Sequence, residues 1–166
     1  MVRDRYWRGH RVTALSELFE RTRAEGRAAL IGYLPAGFPS VPGAIEAMQA
    51  MVEGGVDAIE VGLPYSDPLL DGPTIQEAVD RALQTGATTL DVLETVRAVA
   101  DTGVPTMVMS YWNPIERFGV ARFARQLAEA GGSGVITADI TPEEAGEWLE
   151  SSQTHQLDRI FLVAPS

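Results

Sequence analysis

Five short apolar runs recur along the chain, centred near residues 31, 60, 107, 136 and 162, with helix-patterned segments between them. This alternation is the strongest constraint on the fold. Strands that read as near-continuous apolar runs are covered on both faces, and parallel neighbours need long crossovers to return the chain. The pattern therefore predicts an α/β chain with a parallel sheet under helices. The runs span 28–34, 57–63, 104–110, 134–140 and 159–164. Ahead of the first, 12–25 reads as an amphipathic helix. Ser40 can cap a helix over 40–53, with Ile45, Met48, Met51 and Val52 on one face and Gly54-Gly55 at its end. Ile75, Ala78, Val79, Ala82 and Leu83 keep helical spacing until Gly86 stops them. Further helices are predicted over 90–101, ended by Gly103, and over 118–130, closed by Gly131-Gly132. Thr141 and Glu144 form a capping-box pattern, with Pro142 at the first helical position.

Two architectures fit this order. An open, five-stranded flavodoxin-like sheet suits 166 residues by itself. A (β/α)8 barrel needs about 250 residues, so five units would be part of one. A receiver-like signalling domain is disfavoured, because such domains need a lysine after the fifth strand and this chain has none.

Composition narrows the chemistry. There is no cysteine, so disulfides, thiol nucleophiles and thiolate-bound zinc are excluded. Only His10 and His155 are present, too few for a multi-histidine metal site. All 13 basic residues are arginine, which excludes Schiff-base lysines and a Walker-type phosphate loop. With 23 acidic residues the formal charge is −10, against general nucleic-acid binding. No run is long and apolar enough for a membrane span, and no secretory leader is visible, so a cytoplasmic location is expected. Arg3, Arg5, Arg8 and Arg11 mark residues 1–11 as an arginine-rich arm, leaving 12–166 as one domain. Chemistry here must come from carboxylates, hydroxyls and backbone groups, with no cofactor and no metal expected.

The most informative stretch is 57–76, D-A-I-E-V-G-L-P-Y-S-D-P-L-L-D-G-P-T-I-Q. Strand alternation turns Ile59, Val61 and Leu63 toward the helices and Ala58, Glu60 and Gly62 toward the other face. In a barrel that face is the interior near the mouth where active sites form. A carboxylate between two small residues has room for a ligand, and burial raises its pKa into the range for proton transfer. The other reading of Glu60 is a core glutamate paired with an arginine. The following connection exceeds the usual strand-to-helix length of about 2–6 residues. It is stiffened by Pro64, Pro68 and Pro73 and carries Ser66, Asp67 and Asp71, the pattern of a site. Asp67 and Asp71 also suit simple turn roles.

This block closely resembles the signature of the tryptophan synthase alpha family. The likeness continues through Gly37-Phe38-Pro39, Met109-Ser110-Tyr111-Trp112-Asn113-Pro114 and Asp139. The resemblance implies a (β/α)8 TIM barrel, here truncated to about five parallel β/α units. It implies a carbon–carbon lyase of tryptophan biosynthesis that cleaves indole-3-glycerol phosphate to indole and glyceraldehyde 3-phosphate. Glu60 would be the general acid–base, and Asp71 would bond the indole N–H and stabilise positive charge on the ring. Tyr33, Tyr111, Met109, Ile136, Ala138 and Leu162 match substrate-pocket positions. Pro64, Ser66, Asp67, Pro68 and Asn113 match the surface that meets the beta subunit.

In this family later loops hold the substrate phosphate, and no glycine-rich turn opening a helix after a strand takes their place in residues 1–166. The expectation is that the 166-residue chain alone is inactive. In an open arc Glu60 should be wetter, with its pKa falling toward about 4.3. The alternative function is a non-catalytic module that keeps only the beta-subunit surface.

Overall fold

The computed structural model describes residues 12–163. The arginine-rich arm and the end of the fifth apolar run lie outside them. Helix α1 (Ala14–Ala24) leads into strand β1 (Ile31–Pro35), followed by α2 (Val41–Glu53) and β2 (Ala58–Gly62). Two helices, α3 (Pro73–Gln84) and α4 (Thr89–Ala100), precede β3 (Thr106–Ser110). Then come α5 (Trp112–Phe118), α6 (Val120–Glu129), β4 (Gly134–Thr137), α7 (Gly146–His155) and β5 (Asp158–Phe161). All neighbouring strands pair in parallel, in the order β1-β2-β3-β4-β5. That order belongs to the barrel and excludes the flavodoxin-like sheet, which would place β2 before β1.

Helix starts follow local chemistry. Thr13 and Ser16 cap α1 reciprocally, Thr88 and Asp91 do the same for α4, and the Ser40 hydroxyl accepts from Gly43 N–H at 3.1 Å. Each bond satisfies an N–H that the first helical turn leaves without a partner.

The structure departs from the sequence reading at two helices. The helix expected over 118–130 forms as α6 but starts at Val120, and α5, absent from the sequence reading, precedes it; Gly119, at φ +97°, separates the two. Pro114 sits inside α5, in the first turn, where its missing N–H costs no helical bond. The capping box at Thr141 does not start α7. The Thr141 hydroxyl bonds the Glu144 carboxylate at 3.2 Å and one turn forms, but buried Ala145, at ψ +28°, leaves the helical region. The helix proper begins at Gly146. His155 closes α7 half-buried, not in a solvated loop.

Two apolar clusters hold the arc. The larger lies between sheet and helices. There Ile59, Val61, Val108 and Val135 meet Met48 of α2, Val92 and Val96 of α4, Phe123 and Leu127 of α6, and Trp148 of α7. Fully burying a side chain of this size contributes about 1.5–3 kcal/mol. Truncating Phe123, which is fully buried, to alanine would cost about 3–5 kcal/mol. The smaller cluster lies on the opposite face, where Leu15 and Leu18 of α1 pack on Ala58 and Met107, with Ala29, Ile136 and Ile160 beside them. Helix α1 thus covers the inner face at the N-terminal ends of the strands.

One ion pair ties this end together. Asp57 is 7% exposed and receives both arms of Arg27 at 2.6 and 2.8 Å, and the Leu30 N–H at 2.8 Å. The Arg27 guanidinium and the Leu30 amide hold its carboxyl far below the usual carboxylate range.

Candidate active site

Register and alternation assemble the site from β1 and β2. Tyr33 lies opposite Glu60 in the sheet, and Pro35 opposite Gly62. Ile59 and Val61 face the helices, so Glu60 and Gly62 face inward, as the alternation predicts. A Cβ placed on Gly62 would lie 2.5 Å from the Tyr33 hydroxyl. The glycine is required because Tyr33 lies across it, and the room expected beside Glu60 is filled on that side by the tyrosine.

Glu60 is half-buried, and no described arginine pairs with it. The core ion-pair reading finds no partner for Glu60 among the described residues. Burial raises the pKa of its carboxyl. This corrects the expectation that an open arc would leave Glu60 near its ordinary value; the flanking side chains dry it within five units. Tyr33 is half-buried as well. Its hydroxyl is pushed above its ordinary range, first by burial, then by the negative charges of Asp71 and Glu60 and by Tyr111. A phenol so placed stays protonated at neutral pH and can act as a donor. Those same influences show that β1, β2, the β2–α3 loop and the end of β3 converge on Tyr33.

Residues 63–72 form the loop that carries Asp71. Asp71 is half-buried, and its carbonyl accepts from the Gln76 side chain at 2.7 Å, where the chain turns into α3. Asp67 is exposed, and its carboxylate accepts from the Ser66 hydroxyl at 2.5 Å. The turn after β3 clamps this loop. The Tyr111 hydroxyl accepts from Leu70 N–H at 2.9 Å, the Asn113 amide donates to the Tyr65 hydroxyl at 2.9 Å, and the Tyr65 and Tyr111 rings meet tilted at 41° with centroids 5.5 Å apart.

The other expected pocket residues divide. Met109 and Ile136 are register partners on the inner face, both half-buried. Ala138 follows β4, half-buried. Leu162 lies beyond β5 and is 57% exposed, so it lines no enclosed wall among the described residues. Tyr111 is placed one residue after β3 and is 2% exposed, with its hydroxyl committed to the loop. Of the expected partner-facing residues, Pro64, Ser66 and Asn113 line one groove of about 360 Å³, together with Tyr65 and Arg117. Asp67 and Pro68 lie off it, and Pro64 itself is buried.

Two residues escaped the sequence reading, and a third, Asp139, entered it only as part of the family likeness. Tyr65 joins the clamp; an aromatic inside a polar, proline-rich loop was its signal. Asp139, an exposed residue after β4, accepts from Trp112 N–H at 2.7 Å and caps α5 from outside the helix. Asp158, opposite Gly134 on the inner face, is raised by burial, with Thr13 and Arg159 pulling the other way, and its Oδ2 has no partner among the described residues. Nothing in an acid at a strand start distinguishes it beforehand. Among the described residues no group of three or more acidic or histidine side chains could hold a metal ion, and no helix is long and apolar enough to cross a membrane.

The comparisons with known proteins agree with the fold. The family model described as tryptophan synthase alpha chain matches residues 19–166. The chain is similar to the tryptophan synthase alpha chain of Thermobifida fusca, with 61% identity over 155 residues, covering 93% of this chain and 57% of the relative. It is similar to that of Acidothermus cellulolyticus, with 58% identity over 155 residues, covering 93% and 58%. Among solved structures it resembles a tryptophan synthase from M. tuberculosis at 55% identity and TM-score 0.91, over 93% of this chain and 62% of that one. It also resembles the alpha subunit from Legionella pneumophila at 37% identity and TM-score 0.87, over 92% and 59%. The chain therefore spans less than two thirds of the length of these relatives.

Proposed function

The chain belongs to the tryptophan synthase alpha chain family, and on that premise we propose that its inner face is the indole end of a site that cleaves indole-3-glycerol phosphate to indole and glyceraldehyde 3-phosphate. One observation carries the reading: Glu60 lies opposite Tyr33 on the inner face, with Asp71 half-buried on the loop that follows the same strand as Glu60. Retro-aldol cleavage needs a ring carbon that can accept a proton and a hydroxyl that can lose one. Glu60, protonated more readily through burial, delivers its proton to ring carbon 3. The resulting carboxylate removes the proton from the hydroxyl on the adjacent side-chain carbon. The carbon–carbon bond then breaks, its electron pair returns to the ring, and Glu60 regains its proton. Asp71 accepts from the indole N–H and offsets the positive charge on the ring before cleavage. Two carboxylates in unlike surroundings can hold these unlike protonation states.

The site so read gives the phosphate end no anchor among the described residues, and binding energy from a non-reacting group holds the reacting carbon in place. We infer that the 166-residue chain binds indole without turnover. The test is indole release from indole-3-glycerol phosphate by the chain alone, and by the chain mixed with the part of the Thermobifida fusca relative beyond the match. The expected result is none above background alone, some after addition, and none again with Glu60→Gln. Turnover indifferent to Glu60→Gln would overturn the assignment.

The partner reading is a tryptophan synthase beta subunit seated on the groove of Pro64, Ser66 and Asn113, in the cytoplasm. That groove also favours the second reading, a module that binds the beta subunit without chemistry. Complex formation with no indole under either condition would select it.

A further inference from the structure

Asp71 ends a loop that Leu63 and Pro64, both buried, anchor at its start, but the apolar side chains next to Asp71 add no anchorage. Leu69 is 75% exposed and Leu70 is 57% exposed, so neither holds the loop by burial. The backbone one residue before Asp71 is fixed by a single bond, from Leu70 N–H to the Tyr111 hydroxyl at 2.9 Å. Tyr111 is 2% exposed and so presents no open ring face to a ligand. Its own backbone is the cap position of α5, and that cap makes no side-chain bond of its own. The acceptor comes instead from the β4 side, where Asp139 Oδ1 receives Trp112 N–H at 2.7 Å. A chain of contacts thus runs from Asp139 through the start of α5 and the Tyr111 hydroxyl to the amide beside Asp71.

We propose that Tyr111 is a positioning residue for Asp71, held in turn by Asp139, and that its hydroxyl sets the direction in which Asp71 meets the nitrogen of an indole ring. The proposal rests on the reading of the site given above and deepens it. A phenol oxygen can accept from the loop amide while its ring stays packed, so removing the oxygen alone separates positioning from packing.

The experiment uses the full 166-residue chain with indole as the probe, titrated by NMR. Tyr111→Phe keeps the ring and should weaken indole binding roughly three- to tenfold, the range for one neutral hydrogen bond. In an Asp71→Asn background the same change should add no further loss, because it acts through Asp71. A merely structural role would subtract equally from both backgrounds. Asp139→Asn keeps the Oδ1 acceptor and should bind as the parent does, while Asp139→Ala should weaken binding as Tyr111→Phe does. Full additivity of the Tyr111 and Asp71 changes, or equal loss from both Asp139 variants, would overturn the proposal. No indole binding by the parent, or binding indifferent to Asp71, would count against the site reading itself. The latch is then decided without ligand. Tyr111→Phe should speed exchange of the Leu70 amide and let the Asp71 side-chain couplings average, while Ile115→Val, which only thins the packing of α5, should do neither. If neither signal moves, Tyr111 does not position Asp71.

Discussion

Gly62→Ala tests the arrangement of the site through stability alone. The new Cβ would stand 2.5 Å from the Tyr33 hydroxyl, 2.9 Å from Cζ and 3.0 Å from Cε2. The ring must therefore swing away from the inner face. Overpacking of this kind costs about 1–3 kcal/mol, and the lower half of that range applies because the obstructing atoms are the far end of a half-buried side chain. Against it stands a gain of about 0.4–1 kcal/mol, since alanine restricts the unfolded chain and position 62 needs no left-handed backbone. The net expected loss is about 1 kcal/mol, or roughly 2–4 °C in Tm for a chain of this size. In a Tyr33→Ala background the obstruction is gone, and Gly62→Ala should be neutral or stabilising. The coupling between the two changes should reach about 1–2 kcal/mol, measured by urea unfolding of all four proteins. A Gly62→Ala chain as stable as its parent, or one that loses equally with and without the Tyr33 ring, would show that Tyr33 does not lie across Gly62.

Two further outcomes follow from charge. Burial raises the Glu60 pKa, so the folded chain keeps that proton to higher pH than the unfolded chain does. Stability is lost as pH rises from about 4.3 through the folded value, so Glu60→Gln should match the parent in acid and exceed it at neutral pH in a Tm series. Asp57 has the opposite sign: its folded pKa is depressed, so its contribution is present above about 3.9 and fades as pH falls further. Arg27→Ala should lower Tm at pH 7 and flatten the acid limb of the same series, and Arg27→Lys should not restore it, because the bond is two-armed. An acid limb unchanged by Arg27→Ala would refute this.

The facing of Glu60 was legible because it follows from a period of two, and the parallel sheet under helices because it follows from the alternation of apolar runs; the strand order was not, since the open sheet and the barrel both fit that alternation. The ends of elements were less so. Helix α5 was missed because seven residues are too short to show a period, and Gly119 ends it before α6 begins. Thr141 and Glu144 have the spacing of a cap, yet burial of Ala145 draws the backbone out of line before the helix begins. Glu60 and Asp71 could be singled out within the 57–76 block, whereas Tyr33 lies outside it, and nothing there marks the clamp. It joins Tyr65 to Asn113 and Leu70 to Tyr111 across more than 40 positions, and no local pattern records such bonds. The drying of Glu60 is likewise a property of neighbours on other elements.

The helix that precedes every strand has a consequence for traffic. Leu15 and Leu18 of α1 rest on Ala58 and Met107, so the inner face is stoppered at the strands' N-terminal ends. Ala58 lies two residues before Glu60, about 6.6 Å along the strand. A flat bicyclic ring descending between the loops meets the stopper roughly one ring-length below the glutamate, and its depth is thereby gauged. With that end covered, a proton leaving Glu60 for solvent has the loop end and the open sides of the arc left to it.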